Sequence, residues 1–573
     1  MMNINKKDVI SLLEKIAVYM ELKGENPFKV AAFRKAAQAL EIDDRSLSDI
    51  EDFTKLNGIG KGTAAVIDEY IQTGNSEVLE DLQKEVPKGL IPLLRLQGLG
   101  GKKIAKLYKE LHITNADELK KACQEGLVSQ LSGFGKKSET NILEAIDAMG
   151  TKPDRLPLAV MLPVVEDIEQ RLKGMVGIIR FSRAGSVRRG RETIKDLDFI
   201  IATEEPELVK EQILAFEHIE NTVAAGDTKV SLSLRYDYDI AVDFRLVKPD
   251  EFATALHYFT GSKDHNVRLR QIAKDRGEKV SEYGVENLES GEITTFDSEE
   301  ELFAHFDLPY IPPQLRQDGT EVEKYNEQYG LLSLADIKGD LHMHTTWSDG
   351  SHSLEEMIEA CREKGYRYMA ITDHSQYLKV ANGLTPERVL KQKEEIRNLN
   401  KKYDDIVILS GIEMDILPDG TLDFEDELLK ELDIVIASIH SSFSQPQDVI
   451  MERLKTALTN NHVDIIAHPT GRLIGRRDGY DVDMDSLIQL AAETNTALEL
   501  NANPNRLDLA AENVKKAQEA GVKIVINTDA HSTEQLANME IGVSNAQRGW
   551  LKKETVLNAQ MEDDLLAFLR RND

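Results

Sequence analysis

The 573-residue sequence contains little cysteine and no long apolar run. Its two cysteines, Cys123 and Cys361, exclude a framework of several disulfides and favour a reducing compartment. No segment approaches the roughly 20 consecutive apolar residues of a membrane-spanning helix. The first residues also lack the apolar core of a signal peptide. We therefore expect a cytoplasmic protein that does not bind membranes.

Basic charge is also scarce, because 70 Lys and Arg residues stand against 100 Asp and Glu residues. The net charge of −30 excludes broad electrostatic capture of nucleic acid. Any such binding must be local, through backbone amides, short basic clusters and metal ions, and sensitive to salt. The chain is also too long for one hydrophobic core, which predicts several domains.

The most informative stretch is 184–199, which reads Ala-Gly-Ser-Val-Arg-Arg-Gly-Arg-Glu-Thr-Ile-Lys-Asp-Leu-Asp-Phe. Gly185 and Ser186 follow an apolar run and predict a turn from a strand into a helix. Amide groups at such a turn, with the Ser186 hydroxyl, can hold phosphate oxygens. Asp196 and Asp198 are expected to alternate along a strand, with both carboxylates on one face. This pattern suits two Mg²⁺ ions and in-line phosphoryl or nucleotidyl transfer.

The combination of Gly-Ser, clustered arginines and paired aspartates resembles the palm of the nucleotidyltransferase superfamily. The resemblance is closest to the family X DNA polymerases, the group of DNA polymerase beta. It requires a third carboxylate on a neighbouring strand, for which Asp243 in Val-Asp-Phe-Arg is the better candidate. Asp237 and Asp239 are expected at a solvated strand edge. The resemblance implies that Asp196, Asp198 and Asp243 bind the metals, and that phosphates lie against Gly185, Ser186 and Arg189.

Residues 257–270 resemble the Tyr-Phe-x-Gly element of the family X thumb. The resemblance implies a wall against the sugar of the incoming nucleotide, formed by Tyr258, Phe259 and Gly261. It also implies that Asn266 contacts the minor groove of the base and that Arg270 contacts the template strand. The alternative interpretation of the two aromatic residues is core packing at a helix end.

Three segments in the N-terminal third share a Gly-apolar-Gly turn beside a lysine, namely 56–64, 96–105 and 131–137. Glycine permits a tight turn and exposes amide groups where a DNA phosphate can bind. The segments resemble helix-hairpin-helix motifs, which bind the DNA backbone without reading sequence. One such turn is an ordinary connection between helices, but three favour DNA binding. The glycines implied in DNA contact are Gly58, Gly60, Gly98 and Gly100.

The segment 26–37 resembles the small N-terminal domain of DNA polymerase beta, which holds the 5′-phosphate of a gap. Lys29 and Lys35 fall on its basic positions. Val66, however, stands where the family has the lysine that forms a Schiff base. We therefore expect gap binding without 5′-deoxyribose-phosphate lyase chemistry.

The C-terminal 238 residues contain seven apolar runs that each end in polar residues, mostly with amphipathic helices between them. Repeated units of this kind predict a parallel barrel whose functional groups gather at the strand C-termini. Eight of the 13 histidines fall here, six of them at those strand ends. Mixed imidazole and carboxylate ligands suit Zn²⁺ or Mn²⁺ better than Mg²⁺.

The pattern of these residues resembles the polymerase and histidinol phosphatase (PHP) family. The resemblance implies a distorted (β/α)7 barrel that hydrolyses phosphoesters with three metal ions. The nine implied ligands are His342, His344, Asp349, His374, Glu413, His440, His468, Asp529 and His531. Arg472, Arg476 and Arg477 either bind substrate phosphate or form a solvated basic loop.

The whole chain is thus expected to be a mixed α+β and α/β protein that resembles a bacterial family X DNA polymerase with a fused PHP domain. Its expected partners are gapped or primer-template DNA and dNTPs, and it is expected to be monomeric. The expected domains are two helical DNA-binding domains (1–85 and 86–150), palm (151–247), thumb (248–315), linker (316–335) and PHP barrel (336–573).

The expected function is filling of short gaps in DNA repair, with 3′-5′ exonuclease or 3′-end phosphoesterase activity in the barrel and nicking at abasic sites. Two alternatives remain open at this stage. One is nucleotidyl transfer to a non-DNA acceptor, and the other is a DNA-end-binding scaffold with a silent palm. Extension of a gapped duplex distinguishes the first alternative, and incorporation of a single nucleotide distinguishes the second.

Overall fold

The computed structural model describes residues 6–42, 47, 50, 52–96, 99–150 and 154–569. The chain forms two compact units. The first consists of Met1–Pro153, His344–Met357 and Leu378–Leu384. The second consists of Asp154–Met343, Ile358–Tyr377 and Thr385–Asp573. Among the described residues, no helix combines the length and apolar character needed to cross a membrane.

The N-terminal part of the first unit is helical, as the sequence predicts. Side-chain caps set several helix starts, since Ser76 accepts from the amide of Leu79 and Asn115 from that of Glu118. Two separate apolar cores result, one around Ile16 and Ile67 and the other around Leu93 and Ile104. The helices are α1 (Lys6–Lys23), α2 (Pro27–Ile42), α3 (Lys61–Thr73), α4 (Glu77–Glu85), α5 (Gly101–Leu111), α6 (Ala116–Gln124) and α7 (Lys136–Gly150).

The second unit begins with a five-stranded mixed sheet, the predicted palm. Its strand order is β2-β4-β7-β6-β5, with β4 and β7 parallel and the other neighbours antiparallel. Helices α8 and α10 contribute apolar side chains to the same core as the sheet. The elements are β1 (Leu156–Pro157), α8 (Leu158–Lys173), β2 (Arg180–Arg183), α9 (Gly185–Arg188), β3 (Thr193–Ile194), β4 (Leu197–Ala202), α10 (Pro206–Leu214), β5 (Ile219–Ala225), β6 (Lys229–Arg235) and β7 (Asp239–Val247).

A smaller subdomain, the predicted thumb, follows the palm. Glu299 is buried between two guanidinium groups, at hydrogen-bonding distance from Arg188 of the palm (2.5 Å) and Arg316 (2.6 Å). This ion cluster fixes the thumb on the helix that follows the Gly-Ser turn. The elements are α11 (Phe252–Thr260), α12 (Lys263–Asp275), β8 (Glu278–Ser281), β9 (Gly284–Asn287), β10 (Ile293–Thr294), α13 (Glu299–His305) and α14 (Glu321–Lys324).

The segment 316–335, expected as a linker, is packed along much of its length. Arg316, Glu321 and Leu332 are buried. Tyr329 lies against Trp550, with ring centroids 5.3 Å apart and its hydroxyl donating to the Trp550 carbonyl. The thumb and the barrel that follows are therefore joined by an ordered connection.

The C-terminal part is the predicted parallel barrel. Its seven strands are hydrogen-bonded in chain order, all parallel. A parallel bridge between Met343 and Ala530, and a hydrogen bond from Thr528 to Asp340 (2.6 Å), link the first strand to the last. The strands are β11 (Gly339–Asp340), β12 (Tyr368–Ile371), β13 (Val407–Asp415), β14 (Ile434–Ser438), β15 (Ile465–Ile466), β16 (Ala497–Asn501) and β17 (Ile524–Asn527).

Helices occupy the connections between these strands and the end of the chain. They cover strands whose residues are almost all buried, as parallel sheets require. The helices are α15 (Leu354–Glu363), α16 (Pro386–Leu399), α17 (Asp426–Leu429), α18 (Gln447–Leu458), α19 (Met484–Thr494), α20 (Ala511–Glu519), α21 (Met539–Arg548) and α22 (Glu562–Leu569).

Candidate active sites

Two predicted carboxylates of the palm lie side by side. Asp198 on β4 is the direct register partner of Asp243 on β7, so their side chains share one face of the sheet. Asp243 accepts from the Ser231 hydroxyl (2.6 Å) and pairs with the Lys229 ammonium (2.7 Å), which orients its carboxylate. The expectation that Asp196 lies on the same strand is wrong. Strand β4 begins at Leu197, and Asp196 is the last residue of the preceding connection.

The electrostatics of this cluster fit a cation site. Burial, followed by the neighbouring charges of Asp196 and Asp243, raises the pKa of Asp198 to about 7. A divalent cation bound at this cluster would supply a counterion to the buried carboxylate of Asp198 and to the two carboxylates near it. Hard oxygen ligands of this kind match Mg²⁺.

The predicted phosphate-binding turn, formed by Gly185, Ser186 and Arg189 and called the cradle below, lies directly beside the aspartates. The Ala184 amide donates to the Asp198 carbonyl (2.8 Å), which joins the turn to β4. Gly185 has a φ of +59°, and a Cβ atom there would collide with the Asp198 carboxylate. The turn therefore requires glycine for both its backbone conformation and its packing.

Two side chains of the cradle have buried polar atoms that find no hydrogen-bond partner among the described residues. The Ser186 hydroxyl and the Nε of Arg189 are buried without a hydrogen-bond partner. Burial, with a smaller contribution from Arg191, lowers the pKa of Arg189 to about 10, still well above neutrality. A buried donor without a partner is costly, and a phosphate oxygen is the acceptor that such a pair of donors would satisfy.

The thumb residues line the same cleft of about 350 Å³ as the cradle and aspartates, as the resemblance implies. Arg189 donates to the Thr260 carbonyl, which ties the cradle to the end of α11. The side-chain amide of Asn266 donates from Nδ2 to the Tyr258 carbonyl (2.7 Å), and its Oδ1 is buried without a partner among the described residues. The residues brought together here are Gly185, Ser186, Arg189, Asp196, Asp198, Tyr258, Phe259, Gly261 and Asn266. Arg270 is exposed one helical turn beyond Asn266.

The three N-terminal turns repeat one hydrogen-bond pattern. In each, the amide of the central apolar residue donates to a leucine carbonyl three residues earlier, as with Ile59 and Leu56 (3.1 Å). The second glycine then precedes a helix, since Gly60 caps α3 and Gly100 caps α5 with no side chain over the first amides. Gly58 has a φ of +111°, a conformation that suits glycine. Gly98 lies outside the described residues.

The basic residues of the small N-terminal domain are exposed on α2. Lys29 pairs with Glu25 at 3.4 Å, and Lys35 faces solvent one and a half turns later. Val66 is buried in the core of this domain. The position implied for a Schiff-base lysine is therefore part of the apolar packing.

The barrel carries its histidines at the strand C-termini, where they converge on Glu413 of β13. The Glu413 carboxylate is 1% exposed and lies within 3.4 Å of four imidazole nitrogens. Those nitrogens belong to His342, His374, His440 and His468. One ligand atom each from His374, Glu413 and His440 lies within 4.8 Å of the others, a spacing that one ion can bridge. The donor set of imidazoles and carboxylates fits Mn²⁺ or Zn²⁺.

The remaining predicted ligands lie on either side of this group along the chain. Asp529 is 3.6 Å from Nε2 of His342 and 3.8 Å from Nδ1 of His531. In the segment His344–Met357 of the first unit, Nδ1 of His344 is 3.9 Å from Asp349. The backbone is tight there, because a Cβ on Gly350 would approach the His344 carbonyl to 2.6 Å.

Two buried acids that the sequence reasoning missed orient the imidazoles. Nδ1 of His342 donates to Glu499 (2.7 Å), and Nδ1 of His440 lies 3.3 Å from Asp415. Each imidazole thereby presents Nε2 to the cluster, which is the usual arrangement around a metal-binding histidine. The sequence does carry a signal, since Glu499 interrupts the apolar strand β16 and Asp415 is two residues from Glu413.

The charges in this cluster raise the pKa of His440 and lower that of Glu413. Burial lowers the pKa of His440, but Glu413 and Asp415 outweigh it and raise the pKa to about 10. Burial raises the pKa of Glu413, and the imidazoles of His440, His374 and His342 outweigh it and hold the pKa well below its usual range. The cluster thus favours an anionic Glu413 that faces positive charge. Metal-binding imidazoles are deprotonated, and bound cations would then supply that positive charge in their place.

One of the three arginines left open by the sequence has a different role from phosphate binding. Arg472 donates from Nε to the Arg506 carbonyl (2.9 Å) and from Nη2 to Glu192 of the palm (2.9 Å). Its Nε and Nη2 groups are therefore used within the protein. Arg506, which the sequence reasoning did not single out, lies 3.6 Å from Asp529.

Comparison with known proteins agrees with this architecture. Family models match along the chain, namely a helix-hairpin-helix domain (residues 4–76), a SAM-like helix-hairpin-helix tandem (90–148), the DNA polymerase beta thumb (255–317) and the PHP domain (340–503). The DNA polymerase/3'-5' exonuclease PolX of Bacillus subtilis (strain 168) is 62% identical over 570 residues, covering 100% of both chains. The chain belongs to the PolX family.

Shorter relatives match only part of the chain. A probable phosphatase of Thermoanaerobacter sp. (strain X514) is 31% identical over 235 residues, which is 39% of this chain and 90% of that protein. A probable phosphatase of Shewanella halifaxensis is 30% identical over 244 residues, 40% of this chain and 91% of that protein. The expected resemblance to a family X polymerase with a fused PHP domain is confirmed.

The orienting role of Glu499 predicts an effect on metal affinity. Glu499→Gln keeps the shape of the side chain but weakens its hold on His342, so Mn²⁺ affinity of the barrel should fall about 10- to 100-fold. Equilibrium dialysis of the full-length protein measures this loss. Glu493→Gln, a change at an exposed position of α19, is the matched control. Equal affinities for both variants would contradict the assignment.

The cradle predicts a sharp effect of one methyl group. Gly185→Ala places a Cβ against Asp198 at a positive φ and should abolish nucleotide incorporation while the protein stays folded. Incorporation on a gapped duplex and thermal unfolding measure the two properties. Gly277→Ala has a comparable positive φ with nothing within 4 Å of the added Cβ, so it controls for backbone strain alone. Equal incorporation by both variants would show that the close approach to Asp198 is unimportant.

Proposed function

We propose that this protein fills short gaps in DNA at the palm and trims the 3′ end of the primer in the barrel. The observation that carries the proposal is the register pair Asp198 and Asp243 beside a cradle with unsatisfied buried donors. The full-length relative whose name gives both activities supports it. One substrate connects the two sites, since the 3′ end that the palm extends is the end that the barrel hydrolyses.

In the palm, Asp196, Asp198 and Asp243 would hold two Mg²⁺ ions. Such a pair supplies charge stabilisation to both the attacking and the leaving oxygen of an in-line displacement. The role of this chain's residues is to position the reactants. Ser186, Gly185 and Arg189 bind the triphosphate through the hydroxyl, the turn amides and the guanidinium group. This placement uses donors that are otherwise unpaired.

The thumb selects the nucleotide in this proposal. Tyr258, Phe259 and Gly261 form the wall against the sugar, which leaves little room for a ribose 2′-hydroxyl. The side-chain Oδ1 of Asn266, unpaired among the described residues, accepts from the minor-groove edge of the base. Arg270, exposed beyond it, contacts the template strand.

The N-terminal unit binds the DNA ends. Its turns at Gly58, Gly60 and Gly100 bind the phosphate backbone, as does Gly98, which lies outside the described residues and has this role from the family pattern alone. Lys29 and Lys35 bind the 5′-phosphate of the gap. Because the whole chain is acidic, this affinity is modest and falls with salt. Val66 in the apolar core leaves the domain without 5′-deoxyribose-phosphate lyase activity.

The barrel would hold three ions of Mn²⁺ or Zn²⁺ with the nine residues named from the family pattern. Bound there, the ions would supply Lewis-acid activation of a phosphoester. Glu413 serves as the shared carboxylate, Glu499 and Asp415 orient the imidazoles, and Arg506 neutralises charge beside Asp529. The activities that we assign to the barrel are 3′-5′ exonuclease, which the name of the Bacillus subtilis relative includes, 3′-phosphate removal and nicking at abasic sites.

The division into helical, palm, thumb, connecting and PHP segments at the boundaries given above is part of this proposal, as is a monomeric state. Both cysteines are buried and free, which fits a reducing cytoplasm. Repair synthesis, including base excision repair, is the role that short-gap filling serves.

The palm assignment is tested by replacing two ligands at once. Asp196→Ala with Asp198→Ala should abolish incorporation of a single nucleotide into a gapped duplex, because the cations lose their shared ligands. The barrel should still shorten a 3′ end at the parental rate. Loss of both activities in a folded variant would show that the two sites are not independent.

The barrel assignment is tested with a primer that ends in a 3′-phosphate. The parent protein should remove the phosphate and then extend the primer. His342→Ala or Asp529→Ala should stall on this primer but extend one with a free 3′-hydroxyl. Mn²⁺ should support removal better than Mg²⁺, since imidazole ligands disfavour the harder ion. A variant that clears and extends the blocked primer like the parent would overturn the assignment.

A further inference from the structure

The turn that follows Arg189 is held by side chains of the barrel. Arg548 at the end of α21 donates to the Gly190 carbonyl (3.2 Å), and Arg472 pairs with the Glu192 carboxylate (2.9 Å). Gly190 has a φ of +63°, and a Cβ atom there would collide with the Ser544 hydroxyl of α21. The barrel surface therefore fits this turn closely.

These contacts are largely removed from solvent. The side chains of Glu192 and Arg472 are each 22% exposed, and that of Arg548 is 12% exposed. Arg472 also donates to the carbonyls of Arg506 and Leu507, so its guanidinium group is fixed in orientation. An ion pair held in this way contributes more than the exposed pairs of a protein surface, which contribute little.

The turn is continuous with the cradle. The Gly190 amide donates to the Val187 carbonyl (3.0 Å), and the Arg191 amide donates to the Ser186 carbonyl (3.0 Å). Glu192 adds a further link, because its carbonyl accepts from the Leu158 amide at the start of α8 (2.9 Å). A shift of the turn therefore moves the backbone that carries Ser186 and Arg189.

The barrel loop that meets the turn also reaches the second site. Arg506, whose carbonyl accepts from Arg472, places its own Nε 3.6 Å from Asp529. Leu507, the next residue, is fully buried in the apolar core of the palm. A single loop thus touches the palm core on one side and a proposed metal ligand on the other.

We propose that Glu192, Arg472 and Arg548 are positioning residues for nucleotide binding, through which the barrel holds the triphosphate cradle in its binding geometry. They contact neither the nucleotide cleft nor the reacting atoms, and they act through the backbone of the turn. The proposal rests on the assignment of Ser186 and Arg189 to the triphosphate. It gives the barrel a function in polymerisation that is separate from hydrolysis.

The test is single-turnover incorporation by the full-length protein on a gapped duplex, measured against dNTP concentration. Arg472→Met and the isosteric Glu192→Gln should each raise the apparent Kd for dNTP about tenfold while the maximal rate changes by less than about twofold. The double variant should lose less affinity than the two single losses combined, because the two changes share the Glu192–Arg472 ion pair. Arg472→Lys should restore part of the affinity.

Arg397→Met is the matched control, because it removes a barrel arginine from an exposed pair with Glu394 (3.7 Å). Its Kd for dNTP should equal that of the parent, and all variants should bind gapped DNA equally. An unchanged Kd for dNTP in folded Arg472→Met and Glu192→Gln would overturn the proposal. Ser186→Ala distinguishes failure of the positioning role from failure of the cradle assignment. If this variant too leaves the Kd for dNTP unchanged, the assignment of Ser186 to the triphosphate is wrong.

Discussion

The palm depends on the close approach of carboxylates that repel one another. Asp198 and Asp243 are register partners on parallel strands, and Asp196 lies two residues before Asp198. The sheet register, the Lys229 ion pair with Asp243 and the close approach of Gly185 to Asp198 fix these carboxylates in place. Burial and the neighbouring charges raise the pKa of Asp198 to about 7 as a result. This arrangement is unfavourable without cations, and it gains a shared counterion when they bind. The cradle and the thumb residues line the cleft that contains Asp196 and Asp198.

The barrel meets a related constraint with different chemistry. Four imidazoles surround the single carboxylate of Glu413, and further acids fix their orientation from behind. Imidazole nitrogen ligands favour softer cations than carboxylate oxygen ligands do. One chain can therefore hold two metal centres of distinct preference, and the contacts of Glu192 with the barrel place them on one connected scaffold.

Much of this arrangement could be predicted because its signals are local. Gly185, Ser186 and the aspartates lie within one short stretch, and the histidines follow apolar runs whose parallel pairing brings their ends together. The position of Asp196 was less accessible, since a shift of strand start by a single residue removes it from the sheet. Glu499 stands out as an acid within an apolar strand, but its partner His342 is 157 residues away, so the sequence does not show what it contacts. The pairing of Glu192 with Arg472 was missed because it joins residues far apart in sequence, where no periodic pattern exists.

The most direct test of two separate metal centres is anomalous scattering from crystals of the full-length protein grown with Mn²⁺ and a gapped duplex. We expect two peaks among Asp196, Asp198 and Asp243 and a separate cluster of three peaks around Glu413. Peaks in the palm alone, with none within bonding distance of Glu413, would contradict the account of the barrel. Peaks at Glu413 alone, in crystals that contain the bound duplex, would contradict the account of the palm.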